Sequence, residues 1–133
     1  SAEVRRRRAP NVSDFLTQQE KVRRSVDAFL SEMEAKGIRT AVWGAGHQAL
    51  ADLSLLGMAG RIDVVLDSAN FKQNKLTPAT HIPIIVPSVL AEGKIGAVLV
   101  IAGSYSSEIV RILAEKYPAV VRAVLEHDGV RRT

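Results

Sequence analysis

A glycine turn and an aspartate are the residues of this sequence whose types and spacing point to chemistry. Gly44 and Gly46 follow a short apolar run at residues 40–43, and an amphipathic stretch begins directly after them. Asp67 comes about twenty residues later, at the end of a second apolar run. A strand, a glycine turn and a helix, followed by an acid at the tip of the next strand, form the pattern of a nucleotide-binding βαβ unit.

Each residue of this pattern has a physical reason. The first glycine permits the tight turn, the second lets the backbone approach a pyrophosphate, and Ala49 stands at the third position, where alanine is tolerated. The start of the helix offers free N–H groups and the positive end of the helix dipole. The same glycines would also serve a doubly wound fold without any ligand, and Asp67 could be an ordinary strand-end acid. Both interpretations stay open at this stage.

The elements that must position this turn begin with a long helix. Apolar residues at helical spacing predict a helix over residues 14–36, with Thr17 to Glu20 resembling a capping box and Ser13 as an alternative cap. Gly37 is expected to end the helix. The predicted buried face consists of Val22, Val26, Phe29, Leu30 and Met33.

Short apolar runs then alternate with helical patterns. Strands are predicted at residues 40–43, 62–66, 82–86, 97–101 and 120–125, and helices at residues 47–56, 88–92 and 106–116. This alternation predicts one Rossmann-like, doubly wound α/β domain, with a mostly parallel sheet of about five strands and helices on both faces. We expect residues 40–43 near the centre of the sheet and Trp43 to be buried there.

The ends of the chain differ in composition from the middle. Residues 1–12 are expected to form a disordered or extended basic tail, residues 13–126 the Rossmann-like domain, and residues 127–133 a C-terminal tail. Four consecutive arginines at residues 5–8 account for the net charge of +4, so the rest of the chain is nearly neutral. A nucleic-acid partner is therefore not expected, because no basic stripe with interleaved aromatic residues is present.

Composition excludes several further classes of protein. The absence of cysteine excludes disulfides and thiolate metal sites, and the three scattered histidines show no metal-ligand spacing. No apolar run is long enough to cross a membrane, and no signal-peptide pattern is visible. We therefore expect a cytoplasmic protein without a metal site and without a membrane partner.

Polar residues follow several of the predicted strands, and ligands of doubly wound folds bind outside the carboxyl ends of the strands. The residues predicted to bind a substrate or nucleotide are Gly44, Gly46, His47, Asp67, Asn70, Ser104 and Tyr105. His47 is either a general base or a surface histidine, Ser104 is more readily a helix N-cap, and Tyr105 could cover the sheet edge. No catalytic residue is predicted, because neither a nucleophile with its base nor paired carboxylates at a defined spacing are recognisable.

Four segments of the sequence resemble the C-terminal domain of SAM-dependent sugar C-methyltransferases. They are residues 42–49, 64–75, 78–84 and 104–109. The two middle segments are the specific ones, with a strand that ends in Asp67, a short Lys-Gln loop, and the motif Pro-x-Thr-x-Ile-Pro-Ile that begins at Pro78. The sequence departs from the family at residues 69–74, where the family usually carries Asn-Pro-x-Lys-Gln-Gly.

The resemblance implies a Rossmann-like domain that is inactive alone and holds no cofactor. SAM and the catalytic groups would belong to a separate domain of the same parent protein, and that SAM-binding domain is the expected partner. The domain itself would help to seat a nucleotide-sugar-like substrate. Two other functions remain open from the residues themselves, an independent dinucleotide-binding domain of an oxidoreductase and a module that senses a nucleotide or CoA.

Overall fold

The computed structural model describes residues 11–44, 46–68 and 75–133 of the chain. Its helices are α1 Val12–Ala35, α2 Gly46–Leu55 and α3 Ser106–Lys116, with short 3-10 helices at Pro87–Glu92 and Gly103–Tyr105. Its strands are β1 Thr40–Gly44, β2 Val64–Leu66, β3 Ile84–Ile85, β4 Ala97–Ile101, β5 Val121–Glu126 and β6 Gly129–Arg132. The predicted basic tail lies largely outside the described residues, and Val12 already belongs to α1.

The strands form one sheet in the order β3-β2-β1-β4-β5-β6. The first five strands in this order are parallel, and β6 pairs antiparallel to β5. The predicted doubly wound α/β fold is confirmed, with six strands in the sheet. Strand β1 lies inside the sheet between β2 and β4, and Trp43 near its end is 7% exposed, as predicted.

Helices cover both faces of the sheet, so the core has two layers. On one face α1 and α2 pack over Val42, Ala97 and Leu99. On the other face α3 and the 3-10 helix Pro87–Glu92 pack over Ala41, Val98 and Val100. All five residues predicted to form the buried face of α1 are buried. The alternation of neighbouring β1 and β4 residues between the two layers follows from the period of two in a strand.

The start of α1 differs from the prediction. Asn11 is the N-cap, because its side-chain oxygen accepts a hydrogen bond from the Asp14 N–H at 2.9 Å. The predicted capping box is wrong, because Thr17 is the sixth residue of α1 and not its N-cap. Its hydroxyl donates a hydrogen bond to the Ser13 carbonyl one turn earlier. The predicted end is confirmed: Gly37 has a φ of +69°, and the next residue's N–H donates to the Met33 carbonyl at 2.8 Å.

The expected C-terminal tail at residues 127–133 is instead the turn and second strand of a β-hairpin. The Val130 N–H donates to the Ser25 hydroxyl at 2.8 Å, and Arg132 pairs with Glu32 of α1 at 3.1 Å. The Arg132 guanidinium also lies 5.5 Å from the centre of the Phe29 ring. Arg131 and Arg132 are therefore residues of the edge strand β6 and not part of a solvated tail. Charged side chains of this kind commonly protect exposed sheet edges.

The motif that begins at Pro78 has a structural role at the amino end of β3. Leu76 forms an antiparallel bridge with Pro83, so the chain makes a narrow turn before entering the strand. Inside this turn Thr77 is buried, and its hydroxyl accepts a hydrogen bond from the Ile82 N–H at 2.8 Å. Because the turn precedes β3, it stands away from the carboxyl edge where a ligand would bind.

Candidate functional site

The carboxyl edge of the sheet has a switch point between β1 and β4. From β1 the chain continues to β2 and β3 on one side, and it then crosses to β4 and β5 on the other side. The loops that leave β1 and β4 therefore diverge and leave a crevice at the edge of the sheet. Ligands of doubly wound folds bind in such a crevice.

The two glycines after β1 serve different physical needs. A Cβ atom at Gly44 would lie 2.5 Å from the Cβ of Ala49, so this glycine lets α2 pack closely on β1. Gly46 has a φ of +72°, and a Cβ there would meet no heavy atom within 4 Å. The expected role of Gly44 is thus corrected: it serves close packing, and the left-handed turn is made at Gly46. The open space at Gly46 still leaves room for a ligand.

A cavity of about 260 Å³ opens at this edge, on the face covered by α3. Strand β1 contributes its last two residues, the segment after β2 contributes an acid and a hydroxyl, and the start of α3 supplies the opposite wall. The lining residues are Trp43, Gly44, Asp67, Ser68, Tyr105, Glu108, Ile109 and Ile112. We call this space the acidic cavity, because two of the described residues that line it are carboxylates and none of them is basic.

The lining of the acidic cavity favours a neutral ring with hydroxyl groups. The carboxylates of Asp67 and Glu108 accept hydrogen bonds from hydroxyls and repel a phosphate group. Trp43 and Ile109 offer apolar surface against which a ring can pack. The volume is somewhat below the range of about 300–1,000 Å³ for complete ligand pockets, so the cavity suits one ring of a larger ligand.

The structure brings together three of the seven predicted site residues. Gly44, Asp67 and Tyr105 line the acidic cavity. Gly46 and His47 lie at the exposed start of α2 and are not among the residues that line the cavity. Of the remaining two predicted residues, Ser104 lies elsewhere, and Asn70 is outside the described residues.

Ser104 lines a different hollow, between the start of α3 and the β5–β6 hairpin. The prediction that Ser104 caps the helix is wrong, since neither the 3-10 helix nor α3 has a side-chain cap. The Ser106 hydroxyl instead accepts a hydrogen bond from the Ala102 N–H at 3.3 Å. Asn70 lies outside the described residues, so its prediction remains untested.

Glu108 is the residue of the cavity that the sequence did not single out. It lies one helical turn after Tyr105, so the two side chains share a face of the chain as it enters α3. This spacing was visible in the sequence and could have identified the glutamate. Arg111, at 4.0 Å from the Glu108 carboxylate, lies outside the cavity lining and provides a partial counter-charge.

Two further observations concern other kinds of site. Among residues 11–44, 46–68 and 75–133, no group of three or more potential metal ligands lies close enough together to hold an ion. Within the same described residues, no helix combines the length and the apolar character that a membrane span needs.

Comparison with solved structures agrees with the fold. The chain is similar to UDP-D-quinovosamine 4-dehydrogenase from Vibrio fischeri, with a TM-score of 0.51 and 14% sequence identity. The match covers 72% of this chain and 93% of that chain. At this low identity the similarity shows a shared Rossmann-type fold and nothing about the reaction.

Comparison with known sequences gives a more specific result. No curated protein sequence matches the chain. A family model described as the C-methyltransferase C-terminal domain matches residues 3–125, which is nearly the whole chain. The resemblance noted in the four sequence segments is thereby confirmed, and the chain belongs to the family of C-methyltransferase C-terminal domains.

Proposed function

We propose that this domain, without catalytic groups of its own, helps to seat a nucleotide-sugar-like substrate for a SAM-dependent C-methyltransferase. The observation that carries the proposal is the acidic cavity at the switch point of the sheet, where Gly44, Asp67 and Tyr105 meet Glu108. A sugar or nucleoside ring would enter this cavity. The methyl-transfer chemistry, with SAM, would take place on another domain of the parent enzyme, the longer polypeptide to which such a C-terminal domain belongs.

The charge of the surroundings supports one orientation of the ligand. Two carboxylates disfavour a phosphate inside the cavity, whereas α2 carries no acidic residue in its first turn. The start of α2 also presents free N–H groups and the positive end of its dipole. A phosphate would therefore lie near Gly46 and His47, with the neutral ring directed toward Asp67.

The proposal is tested by titrating the isolated chain with a nucleotide-sugar, with the free nucleotide, with NAD and with CoA. We expect the nucleotide-sugar to raise the melting temperature most, because it alone ends in a neutral sugar with several free hydroxyls. Beyond its pyrophosphate NAD carries a ribose joined to a cationic nicotinamide ring, and CoA carries a pantetheine chain. Saturable binding of NAD or NADH in preference to the nucleotide-sugar would favour an oxidoreductase domain. A change of oligomeric state with CoA would favour a sensing module. No stabilisation by any phosphate-bearing compound at millimolar concentration would leave the glycine turn as scaffold.

Matched variants locate the binding. Asp67→Asn is expected to weaken the nucleotide-sugar about tenfold, because a strong acceptor of sugar hydroxyls becomes a weaker one. Asp128→Asn is the control, since this aspartate is exposed in the hairpin turn and lines neither the cavity nor its rim. Gly46→Val probes the phosphate end: it should abolish binding at a cost of about 1–3 kcal/mol in stability. Equal affinities for all variants would refute the site.

The isolated domain is expected to transfer no methyl group. The residues of the acidic cavity supply hydrogen-bond acceptors and apolar walls, and the proposal places SAM outside this domain. The measurement is an assay with labelled SAM and a nucleotide-sugar in the presence of the isolated chain. Appearance of the label in the sugar would overturn the non-catalytic part of the proposal.

A further inference from the structure

The first two turns of α1 extend beyond the body of the domain. Every residue from position 12 to position 18 is exposed, and burial of the helix begins at Val22. We call residues 12–18 the overhang. The apolar side chains of the overhang are therefore accessible to another surface.

Apolar residues of the overhang recur at helical spacing. Val12 is 74% exposed, Phe15 is 64% exposed and Leu16 is 57% exposed. Positions three and four residues apart lie on one side of a helix, so these side chains form a single apolar face. Isolated apolar residues on a surface are ordinary, but a cluster with helical spacing marks an interaction site.

The apolar face continues into a groove between α1 and α2. The groove has a volume of about 430 Å³, and most of the exposed surface of its lining is apolar, although Asp52, Glu126 and His127 also line it. Its walls include Phe15 and Val22 of α1, Leu55 of α2 and Leu56 just beyond it, and its floor includes Ile101 and Leu125. Leu55 is 58% exposed, so apolar surface is left uncovered on both sides. We call this space the α1–α2 groove.

One end of the groove is closed by a long-range hydrogen bond. The Gln18 side-chain amide donates to the His127 carbonyl at 2.8 Å and links the overhang to the β5–β6 hairpin. The overhang is thus held in position even though its apolar face is exposed. A preformed surface of this kind loses less conformational entropy on binding than a flexible one.

We propose that the overhang and the α1–α2 groove together form the surface on which this domain packs against the preceding, methyl-transferring part of the parent enzyme. The proposal rests on membership in a family of C-terminal domains, because such membership means that the rest of the enzyme precedes α1 in the polypeptide. The overhang is the part of the domain nearest to that connection. Covalent linkage gives the two parts a high effective concentration for each other, so a modest apolar surface suffices.

Charge indicates the chemistry of the facing surface. Arg5 to Arg8 precede the overhang in the sequence, and Lys21 borders it on α1, beside Arg24, which pairs with Glu20 at 3.4 Å. A partner surface that fits would present apolar side chains for the groove and carboxylates around them. A second copy of this chain would bring the same basic residues against each other, which disfavours it as the occupant.

The test compares hydrogen exchange of the isolated chain with that of the intact parent enzyme. We expect amides of residues 14–20 to exchange at least about tenfold more slowly in the parent enzyme, because docking prevents opening of the helix end. Amides of the buried half of α1 at residues 26–33 provide the internal reference and should change little. Equal exchange of the overhang in both proteins would overturn the proposal.

Variants of the parent enzyme assign the protection to this surface. Phe15→Ser together with Leu55→Ser should restore fast exchange of the overhang. Leu76→Ser, at a leucine that is similarly exposed elsewhere, should leave the protection intact. Retained protection in the double variant would contradict the proposal. A concentration-dependent dimer of the isolated chain that the double variant abolishes would also contradict it, in favour of a second copy.

The outcome of the docking experiments can be distinguished from the outcome of the nucleotide-sugar titrations. Within the part of the chain that the structure describes, the α1–α2 groove and the acidic cavity share no lining residue, and they lie on opposite faces of the sheet. The double variant of the isolated chain should therefore bind the nucleotide-sugar with unchanged affinity. Failure of docking with intact ligand binding would overturn this inference and leave the proposed function standing.

Discussion

The acidic cavity and the α1–α2 groove lie at the same edge of one sheet and differ in size and in how apolar their linings are. On the α3 face the edge carries Asp67 and Glu108 beside a small apolar floor. On the α1–α2 face it carries Phe15, Leu55 and Leu125 in a larger hollow, which Asp52, Glu126 and His127 also line. A single row of strand ends thus offers a smaller, more polar surface on one face, where we propose the sugar binds, and a larger, more apolar surface on the other, where we propose a protein docks.

The difference follows from which side chains a strand end directs to each face. Neighbouring residues of a strand point to opposite faces, so Ile101 at the end of β4 lines the groove while Trp43 at the end of β1 lines the cavity. The segments that follow the strands add the charged groups of the cavity, with Asp67 after β2 and Glu108 in α3. A doubly wound sheet can therefore combine a ligand site and a docking surface within one small domain, and changes at each can be tested separately.

The largest expected loss of stability comes from the contact between Gly44 and Ala49, which bears on both regions. Gly44 forms part of the cavity, and its close approach to Ala49 sets the position of α2, which is a wall of the groove. We expect Gly44→Ala to destabilise the domain by about 3 kcal/mol, because a new methyl group would overlap Ala49 in a packed strand–helix contact. Urea denaturation of the variant measures this loss.

Gly46→Ala is the matched control for that variant. The new Cβ would meet open space, so its cost comes from a φ of +72° and is expected to be about 1 kcal/mol. A stability loss at Gly46 that equals or exceeds the loss at Gly44 would contradict the different roles assigned to the two glycines.

A smaller effect is expected at an arginine that acts on the groove side of the sheet and not on the cavity. Arg61 binds Asp27 at 2.7 Å, Ser31 at 3.0 Å and Glu34 at 2.8 Å, and so ties the segment after α2 to α1. Arg61→Met keeps the aliphatic stem and removes these bonds. We expect the melting temperature to fall by about 3 °C, with unchanged nucleotide-sugar affinity.

The pH dependence of this variant gives a second readout. Hydrogen bonds from Arg61 hold the pKa of Glu34 below its ordinary value. The stabilisation is therefore present above the ordinary carboxyl pKa and is lost as the pH falls through the lowered one. Wild type and Arg61→Met should converge in melting temperature in strong acid. A constant difference at all pH values would mean that the ion pairs are not its cause.

An effect confined to the cavity is expected from Glu108→Gln. This change removes one of the two carboxylates and keeps the size of the side chain, which is largely exposed. We expect nucleotide-sugar affinity to fall about threefold and stability to stay unchanged. Calorimetric titration measures the affinity. A higher affinity would indicate that the cavity accepts the phosphate itself, and would reverse the orientation proposed for the ligand.

Much of the fold was predictable because local patterns and burial agree. Residues 97–101 and 106–116 have the predicted bounds, since a continuous apolar run and a strong helical period leave little ambiguity. Strand β6 was missed because its arginines resemble a solvated end. Its pairing depends on contacts with Ser25 and Glu32, which are distant in sequence and leave no local pattern.

The candidate site was predictable in part. Gly44, Asp67 and Tyr105 follow from the rule that ligands bind at the carboxyl ends of parallel strands, and the structure brings them together. The sequence could not predict which face of the sheet holds the cavity, because that depends on how α3 crosses the sheet. For this reason Ser104 was grouped with residues that it does not join.

The smallest expected effect concerns Asp52, which lines the α1–α2 groove. Burial raises the pKa of this carboxyl above its ordinary value, and a hydrogen bond from the Gln48 side chain at 3.0 Å opposes that shift in part. The other ionisable side chains of the groove are Glu126, which pairs with Arg131 at 2.8 Å, and His127. Asp52 is thus the acid of the groove whose charge is least compensated.

The sign of the effect follows from proton binding. Between the ordinary and the raised pKa the folded chain binds more protons than the unfolded chain, so stability falls as the pH rises through this window. Asp52→Asn keeps an acceptor for Gln48 and removes the charge, so we expect it to raise the melting temperature by about 1–2 °C at neutral pH. The gain should vanish as the pH falls below the ordinary carboxyl pKa, where the wild-type carboxyl is protonated in both the folded and the unfolded chain. In the parent enzyme docking would bury Asp52 further and enlarge the gain. An equal gain in the isolated chain and in the parent enzyme would mean that nothing covers the groove.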